Sequence, residues 1–171
     1  MTDQTIIEKF ANPESRNFAF NQLVRKYQQK MYWHIRKMVI DHDDADDLTQ
    51  ETFIKAWQSL ENFRGDSQLY TWLYRIATNE CLNFLNKKRR RFFLSINDVE
   101  GELLEKLESA TGHSDYPIAG DEIQLKLQKA VLTLPEKQRL VFNMKYFDDL
   151  TYEDISEITK TSVGALKASY H

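Results

Sequence analysis

From Gln68 to Arg91 the chain runs without a single Pro or Gly, and no other feature limits its folding so sharply. The spacing predicts one long helix, opened by Asp66 and Ser67 as a cap. Stepping at about 100° per residue separates its faces. Leu69, Leu73, Ile76, Ala77 and Phe84 fall on one side as a core stripe, with Glu80 intruding near it in need of a partner or a route to solvent. Trp72, Arg75, Asn79, Asn83, Asn86 and Arg90 fall together on another side, which runs into Lys87, Lys88, Arg89, Arg90 and Arg91. Ordinary solvated faces lean on Glu and Lys. Amide side chains read base edges, guanidinium groups take phosphate, and an aromatic ring stacks on an unpaired base. The stripe therefore favours a nucleic-acid partner over the plainer reading, a basic helix end complementing its dipole.

The scarcity of breakers extends to the whole chain. With 5 Gly and 3 Pro in 171 residues, and no alternating Val/Ile/Thr runs, the fold is expected to be all-α. A hydrophobic fraction of 42% is ample for packed cores. Cys81 is the single cysteine, so no disulfide forms within the chain and a reducing compartment is expected. The opening MTDQTIIEKF lacks a leader pattern and no apolar stretch reaches about 18 residues, so a soluble cytoplasmic protein is expected.

Helical spacing from about Glu14 to Ile40, then Asp44 to Ser59, then the long helix, describes a first helical domain of about ninety residues. From Phe92 to Gly120 the pattern lapses. Gly101, Gly112, Pro117 and Gly120 punctuate this acidic stretch, which reads as a flexible linker with at most a short helix at Glu102–Leu107. Helices resume over 121–132, from Pro135 to Phe147, from Tyr152 to Ile158 with Thr151 as cap, and from Val163 after Ser162. Charge sorts with this division: residues 1–91 carry 15 Lys and Arg against 12 Asp and Glu, net +3, while 92–171 carry 8 against 14, net −6. Two partners of opposite character are implied.

Leu150–Lys167 has the form of a helix-turn-helix. Ile155, Ile158, Val163 and Leu166 would pack its helices together across the small Ser156. Ser162, Ala165, Lys167, Ala168, Ser169 and His171 would face outward, short enough for close approach to a major groove. Lys160 stands where a positive φ normally calls for Gly, and Thr161 where an apolar residue is usual. The acidic run Asp43, Asp44, Asp46, Asp47, Gln50 and Glu51 is either a docking face for a basic partner or acidic dressing of a helix N-terminus. Its spacing is not that of an EF-hand. No nucleophile–base set, phosphate loop or metal spacing is present, so neither catalysis nor a cofactor nor a metal is expected.

Three segments in order, DADDLTQETFIKAW, FRGDSQLYTWLYRIATNECLNFLNKKRR and LPEKQRLVFNMKYFDDLTYEDISEITKTSVGALKASYH, resemble a bacterial RNA polymerase sigma factor of the extracytoplasmic-function group, within the sigma-70 superfamily. The resemblance implies a transcription initiation factor with sigma domain two at 1–92, a linker at 93–119 and sigma domain four at 120–171, with no domain three. Asp43, Asp44, Asp46, Asp47, Gln50 and Glu51 then become a surface for the β′ clamp helices of core polymerase, with the β flap as a further contact. Phe63, Arg64, Asp66, Ser67, Trp72, Arg75, Asn79, Asn83, Lys87 and Lys88 become the reader of a melted −10 element, Asn79 taking a flipped base. Ser162, Gly164, Ala165, Lys167, Ala168 and His171 become the −35 reader. Promoter DNA and an anti-sigma factor, which would hold the chain at the inner membrane, are the other implied partners; a small-molecule substrate is not. The family's recognition helix usually continues with more Arg and Lys beyond the point where this sequence stops at His171. The residue patterns alone leave open an operator-binding regulator whose helix-turn-helix works by itself.

Overall fold

Thr2 opens the first helix, its hydroxyl accepting from the Thr5 N–H, and the four-residue spacing of Ile6 and Phe10 gives that helix one buried stripe. The computed structural model describes residues 1–91, 96–110 and 122–170. Its helices are α1 (Asp3–Ala11), α2 (Arg16–Val39), α3 (His42–Ser59), α4 (Leu69–Arg91), α5 (Ile96–Ala110), α6 (Glu122–Leu132), α7 (Glu136–Phe142), α8 (Tyr152–Thr159) and α9 (Val163–Tyr170), and the described residues contain no strand. A short 3₁₀ turn, Leu60–Asn62, follows α3, and a π-helical turn, Asn143–Phe147, extends α7. The all-α expectation holds, and the chain forms two small helical domains, α1–α4 and α6–α9.

The first domain is built on α2. Leu23, Tyr27, Met31, Ile35 and Met38 are buried along one stripe, against which α1, α3 and α4 pack. Asp3 fastens α1 to α2 by accepting from the Tyr27 hydroxyl and pairing with Lys26 at 2.5 Å. Sequence periodicity did not single out α1, because only two of its side chains are fully buried. Helix α2 ends at Ile40, whose φ of 67° is costly for a β-branched residue. The Ile40 carbonyl accepts from Arg36 Nε at 2.6 Å and its N–H bonds Arg36 O at 2.7 Å, which holds the turn. Asp41 then caps α3, accepting from the Asp44 N–H at 3.0 Å.

In α4 the buried line is Leu69, Leu73, Ala77, Cys81 and Leu85, a spacing of four throughout, while Ile76 and Phe84 are only partly covered. Glu80 is buried as well, and its carboxylate pairs with the Lys55 ammonium from α3. That answers the one discordant residue of the stripe.

Helix α5 occupies most of the stretch expected to be linker and is longer than Glu102–Leu107. Gly101 sits inside it, so this glycine costs helix propensity without breaking the helix. Leu103 and Leu107 bury it against its neighbours. In the second domain, Thr151 and Asp154 form both bonds of a capping box, at 3.1 and 3.2 Å. Lys160 adopts φ 55°, ψ 36°, the left-handed position of a helix-turn-helix turn, without the usual glycine. Ile155, Ile158 and Leu166 are buried where the two helices cross.

Candidate nucleic-acid and protein interfaces

The acidic run lies along the outer side of α3. Its first turn is anchored by Asp41, Ala45 and Leu48 face inward, and the helix therefore turns Asp43, Asp46, Asp47, Gln50 and Glu51 to solvent. Asp44 is half-buried, and Lys106 of α5 reaches to 3.4 Å from its Oδ2. Burial would raise the Asp41 carboxyl, but the Asp44 N–H and Lys106 outweigh it and hold the group below the usual carboxylate range. Three or more like charges on one exposed face repel one another and recover that cost only against a cationic partner.

The loop before α4 turns at Gly65, whose φ of 76° is in the left-handed region. Arg64 and Asp66 are exposed there, and Ser67 is half-buried. Phe63 folds back onto Trp72, with ring centroids 5.3 Å apart and planes at 56°, so the loop and the helix join through an aromatic pair. Beyond it, α4 presents Asn79, Asn83 and Lys87 to solvent. Arg75 and Lys88 are tied to other elements: Arg75 donates through Nε to the Glu157 carbonyl at 3.4 Å, and Lys88 pairs with Glu102 at 2.7 Å. Asn79 also lines a cavity of about 210 Å³ shared with Leu82, Gln138, Val141, Ile158 and Thr161 of α4 and the second domain.

At α9 and its cap, Ser162, Gly164, Ala165, Lys167 and Ala168 are exposed, while Leu166 is buried. Ser162 Oγ accepts from the Ala165 N–H at 3.2 Å and so serves as the helix cap. The Lys167 ammonium lies 5.7 Å from the Tyr152 ring centroid. His171 lies outside the described residues.

Sequence reasoning did not find the seam between the domains. Asp148, after the π-helical turn, sits with its carboxylate against His34 and the Lys37 ammonium of α2. His34 is fully buried, its Nε2 bonded to Thr78 Oγ1 at 2.9 Å. Burial would raise the Asp148 carboxyl, but His34 and Lys37 reverse this and hold it low. Tyr70 adds a hydroxyl bond to Asp154 at 2.8 Å, and Arg89 reaches Glu136. The available signal was a histidine in the apolar stripe of α2, between Met31 and Ile35, with no partner on its own helix.

Comparison with known proteins gives the arrangement a context. Residues 23–91 match the Sigma-70 region 2 family model and residues 124–171 match the Sigma-70, region 4 model. The chain is 37% identical to the RNA polymerase sigma-H factor of Pseudomonas aeruginosa, over 97% of this chain and 86% of that protein. It is 35% identical to the ECF RNA polymerase sigma-E factor of Haemophilus influenzae, over 98% and 89% respectively. Among solved structures it shares a fold with the sigma factor RpoE of Bartonella quintana in complex with the anti-sigma factor NepR, at TM-score 0.66, 22% identity and coverage of 88% of this chain and 89% of that one. CnrH in complex with the cytosolic domain of CnrY superimposes at TM-score 0.66 with 21% identity, covering 98% and 89%.

Proposed function

The chain belongs to the sigma-70 family, as a sigma factor of the extracytoplasmic-function group, and we propose how its residues divide the work of that function. It is a transcription initiation factor that binds core RNA polymerase and directs it to promoters. Residues 1–92 act as domain two and 120–171 as domain four, with 93–119 between them. The outward acids of α3, with Gln50, dock on the basic β′ clamp helices, and domain four meets the β flap. The loop from Phe63 to Ser67 and the outer side of α4 capture the melted −10 strand. Unstacking a base costs a few kcal/mol, which an amide and a stacking ring offset. Asn79 is the amide, Trp72 with Phe63 the aromatic surface, and Arg64, Arg75, Asn83, Lys87 and Lys88 the phosphate and edge contacts. On α9 the small Gly164, Ala165 and Ala168 allow close approach to the −35 major groove, with Lys167 toward phosphate.

The observation that carries this division is the exposure of Asn79 and Asn83 on a helix whose opposite face is fully buried. The chain itself carries no chemistry, which the polymerase supplies. Its place is the cytoplasm, where an anti-sigma partner of the kind seen with RpoE of Bartonella quintana would restrain it, at the inner membrane if that partner is a membrane protein. No helix among the described residues is long and apolar enough to cross a membrane. A stand-alone operator-binding regulator leaves the Trp72, Asn79 and Asn83 surface without a task.

Reconstituted transcription with core polymerase on a promoter library tests the reading, with a gel shift run with and without the core enzyme. Start-site selection that depends on both the chain and the polymerase is expected. Tight, sequence-specific duplex binding by the chain alone would sink it.

A further inference from the structure

Helix α5 touches both candidate interfaces at once, and its ion pair at each opposes an external partner. Glu102 pairs with Lys88 at 2.7 Å, leaving that lysine side chain only 12% exposed on the −10 side of α4. One turn further on, Lys106 stands 3.4 Å from Asp44 and 4.0 Å from Asp41, at the start of the acidic helix. A carboxylate thus holds a lysine assigned to a DNA phosphate, and an ammonium meets an aspartate assigned to basic polymerase helices. The same helix drives Leu107 into the seam between the domains, beside Ile40 of the first and Val131, Leu132 and Arg139 of the second. Leu103 and Leu107 are 1% and 0% exposed, so the helix is anchored by apolar burial and aimed by its two charges. Lys129 of α6 pairs with Glu108 at 3.2 Å and ties its far end to domain four.

Resting on the sigma-factor reading above, we infer that α5 is an autoinhibitory strap: it competes through Glu102 with DNA at Lys88 and through Lys106 with polymerase at Asp44, and it must leave its seat when the chain enters the holoenzyme. Its charge order suits that role. The strap offers an anion to the cationic end of α4 and a cation to the anionic end of α3, four residues apart on one helical face. Glu102 is about one-third exposed and the Lys106 pair lies at the surface, so water screens both pairs and each yields to a partner presenting many charges at once. The closed chain reduces apparent affinity by the fraction of molecules that are open, and loosening the strap raises that fraction.

The double variant Glu102→Lys/Lys106→Glu tests this in the full-length chain. It keeps net charge and both apolar anchors but places like charges against Lys88 and against Asp44. Neither residue belongs to the proposed binding surfaces. Fluorescence-anisotropy titration of labelled chain with core RNA polymerase is expected to give an apparent Kd about tenfold lower for the swap than for the wild type. Hydrogen exchange of the α5 amides provides a second reading: protection in the free wild-type chain, lost on adding core polymerase. Equal or weaker binding by the swap, or α5 protection that persists in the holoenzyme, overturns the strap while leaving the sigma-factor reading intact. Wild-type chain that fails to bind core polymerase at all overturns that reading and the strap with it.

Discussion

The Asp148 carboxylate crosses from the second domain to lie 3.4 Å from Nδ1 of the fully buried His34 in the first, with Lys37 on its other oxygen. This places one low-pKa acid at the centre of the domain seam. Asp148→Asn keeps the shape and removes the charge, and should weaken docking of the domains by about 2 kcal/mol, the usual worth of a hydrogen bond to a charged group. Energy transfer between dyes on α1 and α9 would fall in the variant. Unchanged transfer would assign the docking to apolar packing alone.

The same residue sets the response to acid. Because docking lowers the Asp148 pKa, the docked state gains stability above the ordinary carboxylate value of about 4 and loses it as pH falls through the docked value. Wild-type transfer efficiency should therefore hold at neutral pH and drop below about pH 4, while Asp148→Asn shows a flatter profile. Parallel profiles for the two proteins would remove Asp148 from the account.

Glu80 and Lys55 form a pair whose two ends differ in exposure, 11% for the carboxylate side chain and 47% for the lysine. Lys55→Met strands a buried charge and should cost about 2 kcal/mol, whereas Glu80→Met frees a lysine that can return to water and should cost under about 1 kcal/mol. Urea melts of the two variants decide it. The reverse ranking would mean that the lysine stem, through its packing, matters more than the salt bridge.

How far the sequence could be read follows from where the periodicity was undisturbed. Residues Gln68–Arg91 announced α4 because nothing interrupts them, and the outward positions of Asn79 and Asn83 followed from the angle alone. Helix α5 was underestimated because Gly101 and a run of acids resemble a linker, while the burial of Leu103 and Leu107 depends on partners distant in sequence. The only signal of the seam was His34 in the apolar stripe of α2, and nothing near Asp148 itself pointed to it. An aspartate after a helix ordinarily reads as a surface turn, and only the docking of α2 converts it into a buried acid. The Arg75 and Lys88 contacts were missed for the same reason, since each partner belongs to another element.

Lys160 holds φ 55° where a side chain is disfavoured, and it is exposed with its backbone fixed by the turn between α8 and α9. Lys160→Gly should relieve that strain, offset in part by the greater freedom of glycine in the unfolded chain, for a net gain of about 0.5 kcal/mol. Differential scanning calorimetry would register a slightly higher midpoint for the second domain. A lower midpoint would show that the lysine side chain makes contacts that outweigh its backbone cost.

Asn79 offers the sharpest test of the promoter-opening assignment, because it is exposed and lies on α4, away from the acidic face of α3. Asn79→Ala removes one amide that would receive a flipped base and leaves the fold and the polymerase surface untouched. Losing a hydrogen-bonded contact in a desolvated pocket costs about 2 kcal/mol, roughly thirtyfold in the opening equilibrium. Core-polymerase affinity should be unchanged, and permanganate reactivity of thymines in the −10 region should fall to near background. Normal melting with normal polymerase binding would transfer the base-capturing role to another residue of the stripe, with Asn83 next in line on the same face. Loss of both activities together would instead mean that Asn79 supports the fold. The measurement thus separates capture of the strand from assembly of the holoenzyme.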